Sequence, residues 1–174
     1  ERPITTAFPF LLISPDAIAS GKGDIGGASD PDTFSQYWNS SKYVFSAQKS
    51  GIGMSYTPYL NKLSRDIFLA NISYYRKGDR DALGSSFRYF SIGEIQQTQL
   101  LGNEIYKLGN FLPSEWSLDL SYNLKLSEHY SMGVTARYLH SNLHFPTEEK
   151  NIAQGVSFDI SGYYISEKHL IGNC

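Results

Sequence analysis

The sequence has almost no cysteine, and its single one, Cys174, is the last of 174 residues. A lone cysteine cannot form an internal disulfide, so no disulfide framework within this chain is expected. The longest apolar run, Phe8 to Ile13, includes Pro9. It is too short for a membrane-spanning helix, which needs about twenty apolar residues. The chain also lacks an initiator methionine and a signal-peptide pattern, which predicts a processed or excised chain.

Charged residues are scarce as well, at 18% of the sequence with a net charge of −2. A nucleic-acid binder would show a basic face, so no nucleic-acid partner is expected. Aromatic residues are abundant instead, at 14% with 13 tyrosines. Tyrosine is favoured at membrane–water interfaces, where its ring meets both environments. An aromatic-rich soluble β protein is the alternative that composition leaves open.

Residues 115–126 alternate between polar and apolar side chains over twelve positions without an exception. Successive side chains of a strand point to opposite faces, so one face is entirely apolar and the other entirely polar. The apolar set is Trp116, Leu118, Leu120, Tyr122, Leu124 and Leu126. Ordinary strands have about five or six residues, whereas a tilted membrane-spanning strand needs roughly nine to eleven. The segment is therefore typical of an outer-membrane barrel strand.

The same alternation recurs along the chain and predicts an all-β protein. Further strands are predicted at 51–60, 66–76, 81–93, 130–138 and 156–164. Two of them, 66–76 and 81–93, carry extra apolar groups on the second face, which would suit packing against a plug inside a barrel. Because open sheet edges cannot lie in lipid, membrane residence would require a closed antiparallel barrel.

Residues 1–48 differ from the rest, because they combine prolines and a glycine cluster with no long alternation. We expect this segment, called the lead-in below, to be folded without strands. A short helix is predicted from Pro15 to Ser20, with Ser14 as its N-cap and Pro15 in its first position. The predicted domains are therefore the lead-in, 1–48, and a barrel segment, 49–174.

The predicted connections alternate in length, which indicates how the strands cross the membrane. Those at 77–80, 127–129 and 166–168 are short, and those at 91–114 and 144–151 are long. Outer-membrane barrels place short turns in the periplasm and long loops outside. The lead-in then joins the first strand at the periplasmic end, and 61–65 is an outer connection. Residues 101–104 are expected to turn a small projecting hairpin.

The count reaches six strands and the start of a seventh at 169–174. Bacterial single-chain barrels have even strand numbers, and unpaired edges are excluded from lipid. An eight-stranded barrel also fills its own interior with side chains, leaving no room for the lead-in. We therefore expect the chain to be part of a larger barrel.

Mid-strand charges indicate which face points inward. Asp119, Lys125, Arg137 and Asp159 lie opposite the apolar sets, and so toward the predicted lumen. On the lipid face near the midplane, an Arg or Lys would cost about 2–4 kcal/mol. Arg88 cannot be assigned, because its strand is apolar on both sides. In a soluble sandwich the same charges would form the solvent face.

No motif predicts chemistry. The segment Gly21–Gly26 matches GxGxxG, but that fingerprint follows a strand and opens a helix, so these glycines are expected to form tight turns. Asp30 and Asp32 lack the spacing of a calcium loop, and His140 and His144 lie where a strand meets a loop. With no nucleophile elbow, paired cysteines or catalytic triad in view, we expect no catalytic, cofactor or metal site.

Several segments resemble the PorV (LptO) family, an outer-membrane barrel of the type IX (Por) secretion system in Bacteroidetes. The matching segments are 9–17, 35–39, 42–43, 55–60, 88–94, 137–138 and 157–160. The lead-in residues that carry the resemblance are Phe10, Leu11, Ser14, Pro15, Asp16, Trp38 and Asn39. The chain departs from the family where it reads Asn39-Ser40-Ser41, because related members often continue Trp-Asn with Pro-Ala.

The resemblance implies a FadL-like barrel of about fourteen strands, with an N-terminal segment in the lumen and this chain forming the first half. It also implies a shuttle in the bacterial outer membrane, in contact with its lipid, that is not itself an enzyme. The shuttle would take cargo, through C-terminal signal domains, from a large translocon barrel (SprA/Sov-like). It would pass the cargo to a surface-attachment complex with a PorU-like sortase.

Topology suggests that the outer loops contact the partners or the cargo. The candidate residues are Gln96, Gln97, Tyr106, Phe111, His144 and Phe145. The alternative function is a FadL-type transporter of hydrophobic small molecules, which would need an apolar ligand pocket and a lateral opening.

Overall fold

A computed structural model describes residues 8–59, 66–101, 104–143 and 152–166. Its lead-in holds two short α-helices and two 3-10 helices, labelled η. In chain order they are η1 (Pro9–Leu12), α1 (Ala17–Gly21), α2 (Ser35–Trp38) and η2 (Ser40–Phe45). The strands are β1 (Ser50–Pro58), β2 (Ile67–Lys77), β3 (Asp81–Ile92), β4 (Ile95–Leu101), β5 (Glu104–Phe111), β6 (Ser114–Lys125), β7 (Tyr130–Asn142) and β8 (Ile152–Tyr164).

Six of these strands form one antiparallel sheet in the order β1-β2-β3-β6-β7-β8. This confirms the all-β class predicted from the alternation. Among the described strands, β4 and β5 pair only with each other, which confirms the small hairpin around 101–104. No helix in the described ranges is long and apolar enough to cross a membrane. The predicted seventh strand (169–174) and the connections 61–65 and 144–151 lie outside the described residues.

Burial in the sheet is the reverse of that in a soluble protein. On β6 the polar residues Ser117, Asp119 and Asn123 are each 0% exposed. The apolar Leu118 and Leu120 on the opposite face are 42% and 56% exposed. The strict alternation therefore directs the polar face inward and the apolar face outward, as in a membrane barrel. Asp119, Lys125, Arg137 and Asp159 share the inward face, as predicted from the alternation.

The short helix of the lead-in begins later than the sequence predicted. Asp16, not Ser14, is the N-cap of α1, because its carboxylate accepts the N–H groups of Ile18 and Ala19. The Ser14 hydroxyl instead accepts the N–H of Asp16. Pro15 therefore precedes the cap and does not occupy the first helical position. Both serine and aspartate are good cap residues, and here the aspartate is placed to bind two of the exposed helix donors.

The lead-in lies against the inward face of the sheet. Its helix η2 contacts five of the six strands, β2, β3, β6, β7 and β8. Five neighbouring strands span about 19 Å in a flat sheet, whereas a six-residue 3-10 helix is only about 12 Å long. The sheet therefore curves around the lead-in. The Lys49 carbonyl, just before β1, accepts the N–H of Lys77 at the end of β2. The lead-in therefore enters β1 at the end of the sheet that holds the short turn between β2 and β3, as predicted.

Glycine allows this close approach. Gly84 of β3 faces the lead-in, and a Cβ there would lie 2.3 Å from Gln36 Oε1 and 2.7 Å from Tyr43 Cε2. A similar restriction holds in the lead-in, where a Cβ on Gly26 would lie 2.3 Å from the Trp38 ring. The glycine cluster thus serves packing as well as turns, of which the positive φ of Gly23, 83°, is an example.

We expect Gly84→Ala to loosen the lead-in from the sheet, because one methyl group overlaps Gln36 and Tyr43. Such overpacking costs about 1–3 kcal/mol. The measurement is limited proteolysis of the lead-in together with thermal unfolding of the full chain in detergent. Gly27→Ala is the matched control, since nothing lies within 4 Å of its Cβ position. Equal protease resistance in both variants would show that the contact is not tight.

Candidate functional site

The centre of the inward face holds a chain of charges on four strands. Asp119 Oδ1 accepts from Arg137 Nε at 3.0 Å, and its Oδ2 lies 3.5 Å from Arg88 Nη2. Arg137 Nη1 is also 3.4 Å from Asp159 Oδ2. Side chains of opposite sign thus alternate from β3 through β6 and β7 to β8. Arg88, which the sequence could not assign, faces inward and is 1% exposed.

Arg88 is covered by the lead-in but is poorly hydrogen-bonded. Its guanidinium carbon lies 4.9 Å from the centre of the Tyr37 ring, a distance typical of a cation–π contact. None of its three guanidinium nitrogens has a hydrogen-bond partner among the described residues. The Oγ of Ser117, directly opposite on β6, is buried without a partner too. Arg88 and Asp119 are therefore close enough for an ion pair, but no well-aligned hydrogen bond strengthens it.

Below this charge chain, small polar side chains tie the lead-in to the sheet. Ser40 donates to Asn123 Oδ1 at 2.8 Å, and Ser131 donates to the Ser41 carbonyl at 2.8 Å. Ser121 donates to Gln36 Oε1 at 2.7 Å. Each bond joins a residue of the lead-in to one more than 80 positions further along the chain. These residues were not predicted from the sequence, in which their one signal is the run of small polar residues on the inward face.

Two buried residues of η2 connect the lead-in internally and to the sheet. The Tyr43 ring stacks on Tyr75 of β2 with ring centres 4.5 Å apart, and burial raises the pKa of Tyr43. Lys42 Nζ donates to the Gly26 carbonyl at 2.7 Å and to Ser29 Oγ at 3.1 Å. Burial lowers the pKa of Lys42. Lys42 therefore anchors η2 to the glycine-rich loop through hydrogen bonds, and Tyr43 anchors η2 to β2 through ring stacking.

Most of the lead-in residues that carry the family resemblance are buried or make contacts within the lead-in or with the sheet. Phe10 is 1% exposed, Pro15 and Asp16 are buried, and the Leu11 carbonyl accepts from the Tyr37 hydroxyl. Trp38 packs edge-on against Tyr37. Asn39 caps η2, and its amide donates to the Gly162 carbonyl at 3.0 Å. In this chain Asn39 therefore links the lead-in to β8.

The outer-loop candidates lie at the opposite end from the short turns. Gln96 and Gln97 belong to β4, and Tyr106 and Phe111 belong to β5. The exposed Gln96 donates to Asn110 at 3.4 Å across the hairpin. His144 and Phe145 lie outside the described residues. The hairpin thus brings four of the six candidates together.

The described part of the interior holds the lead-in, and two of the sequence motifs can be checked against it. No group of three or more His, Cys, Asp or Glu residues lies close enough among them to hold a metal ion. The GxGxxG segment follows α1 and opens no helix, which contradicts the geometry that phosphate binding needs.

The comparison with known families agrees with this geometry. A model described as "Type IX secretion system protein PorV" matches residues 1–173. The chain belongs to the PorV family. A comparison with curated proteins found no match. PorV proteins are components of type IX secretion, so the polar interior and its lead-in are features of a secretion-system protein.

We expect Asp119→Asn to destabilise this PorV protein by about 3–5 kcal/mol, because Arg88 and Arg137 would lose their shared buried carboxylate. Denaturant unfolding of the full chain in detergent measures the effect. Asp159→Asn is the control: it also removes a partner of Arg137, but the Asp159 side chain is 54% exposed, so a loss below about 1 kcal/mol is expected. Similar losses in both variants would contradict a central role for Asp119.

Proposed function

We propose that this chain forms the first half of a FadL-like outer-membrane barrel, residues 49–174, with the lead-in, 1–48, as its lumen plug. The observation that carries the proposal is the reversed burial of the sheet. In water, an outward face of leucine, isoleucine and aromatic side chains would be unfavourable, whereas in lipid it is the required one. The inward polar face is then covered by the lead-in instead of by lipid.

Two aromatic rows on the outward face support this placement. The first runs through Tyr56, Tyr89, Trp116 and His140, which adjoin one another in register with Ala70 between the first two. Near the short turns, the second includes Tyr130 and its partner Tyr164. The ten residue-to-residue steps from Trp116 to Leu126 extend about 33 Å. At a tilt of about 40° this spans about 25 Å, the height of a lipid-facing band between aromatic girdles.

We expect Leu120→Arg to impair membrane assembly, because the midplane cost of an arginine is about 2–4 kcal/mol. Leu126→Arg is the matched control: both leucines are 56% exposed on the same face, but Leu126 lies near the interface. The measurement is heat-modifiable gel migration of the full chain in outer-membrane fractions. In a water-exposed sheet both arginines would be equally tolerated, so equal behaviour would contradict the membrane placement.

We further propose that the protein is a non-catalytic shuttle. It takes cargo with C-terminal signal domains from a large translocon barrel and passes it to the attachment complex and its PorU-like sortase. Membership in the PorV family supports a role in type IX secretion. The β4–β5 hairpin, which pairs with no strand of the main sheet among the described residues, is the proposed contact.

The hairpin can be removed without disturbing the sheet register. The Ile92 N–H donates to the Pro113 carbonyl at 3.1 Å, so the two ends of the insertion already meet. Replacing 94–112 with Asn-Gly should therefore keep β3 paired with β6. The expected result is a barrel that still assembles but recovers less cargo in a pull-down from outer membranes. Asp79→Asn, in an exposed short turn at the other end, serves as the control.

The outcomes separate the two parts of this proposal. Undiminished cargo recovery without the hairpin would remove the hairpin as the contact. Recovery of neither cargo nor the translocon barrel with the unmodified chain, together with bound fatty acid, would favour FadL-type transport. An apolar cavity of about 410 Å³, lined by residues including Met54, Tyr56 and Phe87, lies on the outward face, whereas the inward face is polar. The described geometry thus favours the shuttle.

A further inference from the structure

Arg88 lies between two carboxylates of one strand. It pairs in register with Ser117 of β6, and the inward-facing neighbours of Ser117 are Asp119 on one side and Glu115 on the other. Both acids are buried, at 0% and 3% exposure. Diagonal neighbours across an antiparallel pair are about 7–8 Å apart, within the reach of a long side chain. Asp119 and Glu115 therefore occupy the two diagonal positions beside Arg88 in the register of β3 with β6.

The two carboxylates differ in what else they bind. Asp119 is shared, because Arg137 Nε holds its Oδ1 at 3.0 Å while Arg88 stays at 3.5 Å from Oδ2. Glu115 accepts a hydrogen bond from the Ser141 hydroxyl at 2.8 Å. Arg88 thus lacks an aligned hydrogen bond to Asp119 among the described residues, and a second buried carboxylate lies at the other diagonal position of β6.

Tyr37 of α2 connects Arg88 to the lead-in. Its ring covers the guanidinium at 4.9 Å, and its hydroxyl donates to the Leu11 carbonyl at 3.1 Å. Two further buried atoms without partners, Gln36 Nε2 and Trp38 Nε1, flank Tyr37 in α2. The contact between α2 and the Arg88 row is thus the poorly satisfied part of the plug, unlike the hydrogen-bonded η2.

We propose that Arg88 is a two-position ion-pair switch. When Arg88 pairs with Asp119, it lies under the Tyr37 ring and keeps α2 packed against the sheet. When it pairs with Glu115, it leaves the ring and α2 loses this contact with the sheet. The switch lies within the interior, and its test requires no cargo. It is a conformational device of the fold, in which each arrangement leaves a different set of donors unsatisfied.

The test is hydrogen–deuterium exchange of the full chain in detergent, without cargo. The reporting amides are those of Tyr37 and Asn39, which donate to Phe34 and Ser35, and η2 serves as the internal reference. Glu115→Gln removes the second position for the cation while keeping an acceptor for Ser141. Exchange at α2 should become at least threefold slower than in the unmodified chain, with η2 unchanged.

A second variant is expected to change α2 exchange in the opposite direction. Ser141→Ala removes the hydrogen bond to Glu115 and makes that carboxylate more available to Arg88. Exchange at α2 should become at least threefold faster. Neither substitution should matter once Arg88→Met has removed the cation, and Glu128→Gln, at an exposed carboxylate, controls for the lost charge.

A merely structural role for Glu115 gives different results. Glu115→Gln would then leave α2 exchange unchanged or speed it, and the effects of both variants would persist beside Arg88→Met. Either outcome overturns the switch. These readings are independent of cargo recovery, so failure of the shuttle would not affect them.

Discussion

Buried polar side chains on the inward face of the sheet need partners, and the lead-in supplies many of them. Ser40 donates a hydrogen bond to β6, Gln36 accepts one from β6, and the Ser41 carbonyl accepts one from β7. A buried polar group left without a partner costs about 1–3 kcal/mol. The lead-in is therefore part of the fold of the interior, and its small polar residues matter as much as an apolar core would.

The same constraint explains why the mid-strand charges of the main sheet lie on the inward face. Asp119, Arg137, Arg88 and Asp159 neutralise one another in one chain across four strands. The outward face needs no such pairing, because apolar side chains satisfy lipid without partners. A low overall charge, concentrated inward, is thus the composition that a two-faced membrane strand demands.

Alternation predicted the strands well, because it is a local signal: each residue's face follows from its position along the strand, and its face decides whether it is buried. Residues 115–126 correspond to β6 within one residue at each end. Contacts such as Tyr43 on Tyr75 have no local signal, since their residues meet only after the sheet has curved. Arg88 was undecidable for a related reason: apolar residues such as Tyr89 and Phe90 stand on both faces of its strand, and the register with Ser117 places it inward.

The position of Glu115 gives the proposed switch a connection to the outside. It lies two residues after Pro113, whose carbonyl joins the base of the hairpin to Ile92. A displacement of the hairpin base would therefore move one of the two carboxylates between which Arg88 chooses. Coupling between distant sites needs an element with two arrangements that both sites bias. In the proposed switch that element is Arg88, which Tyr37 covers from the lead-in.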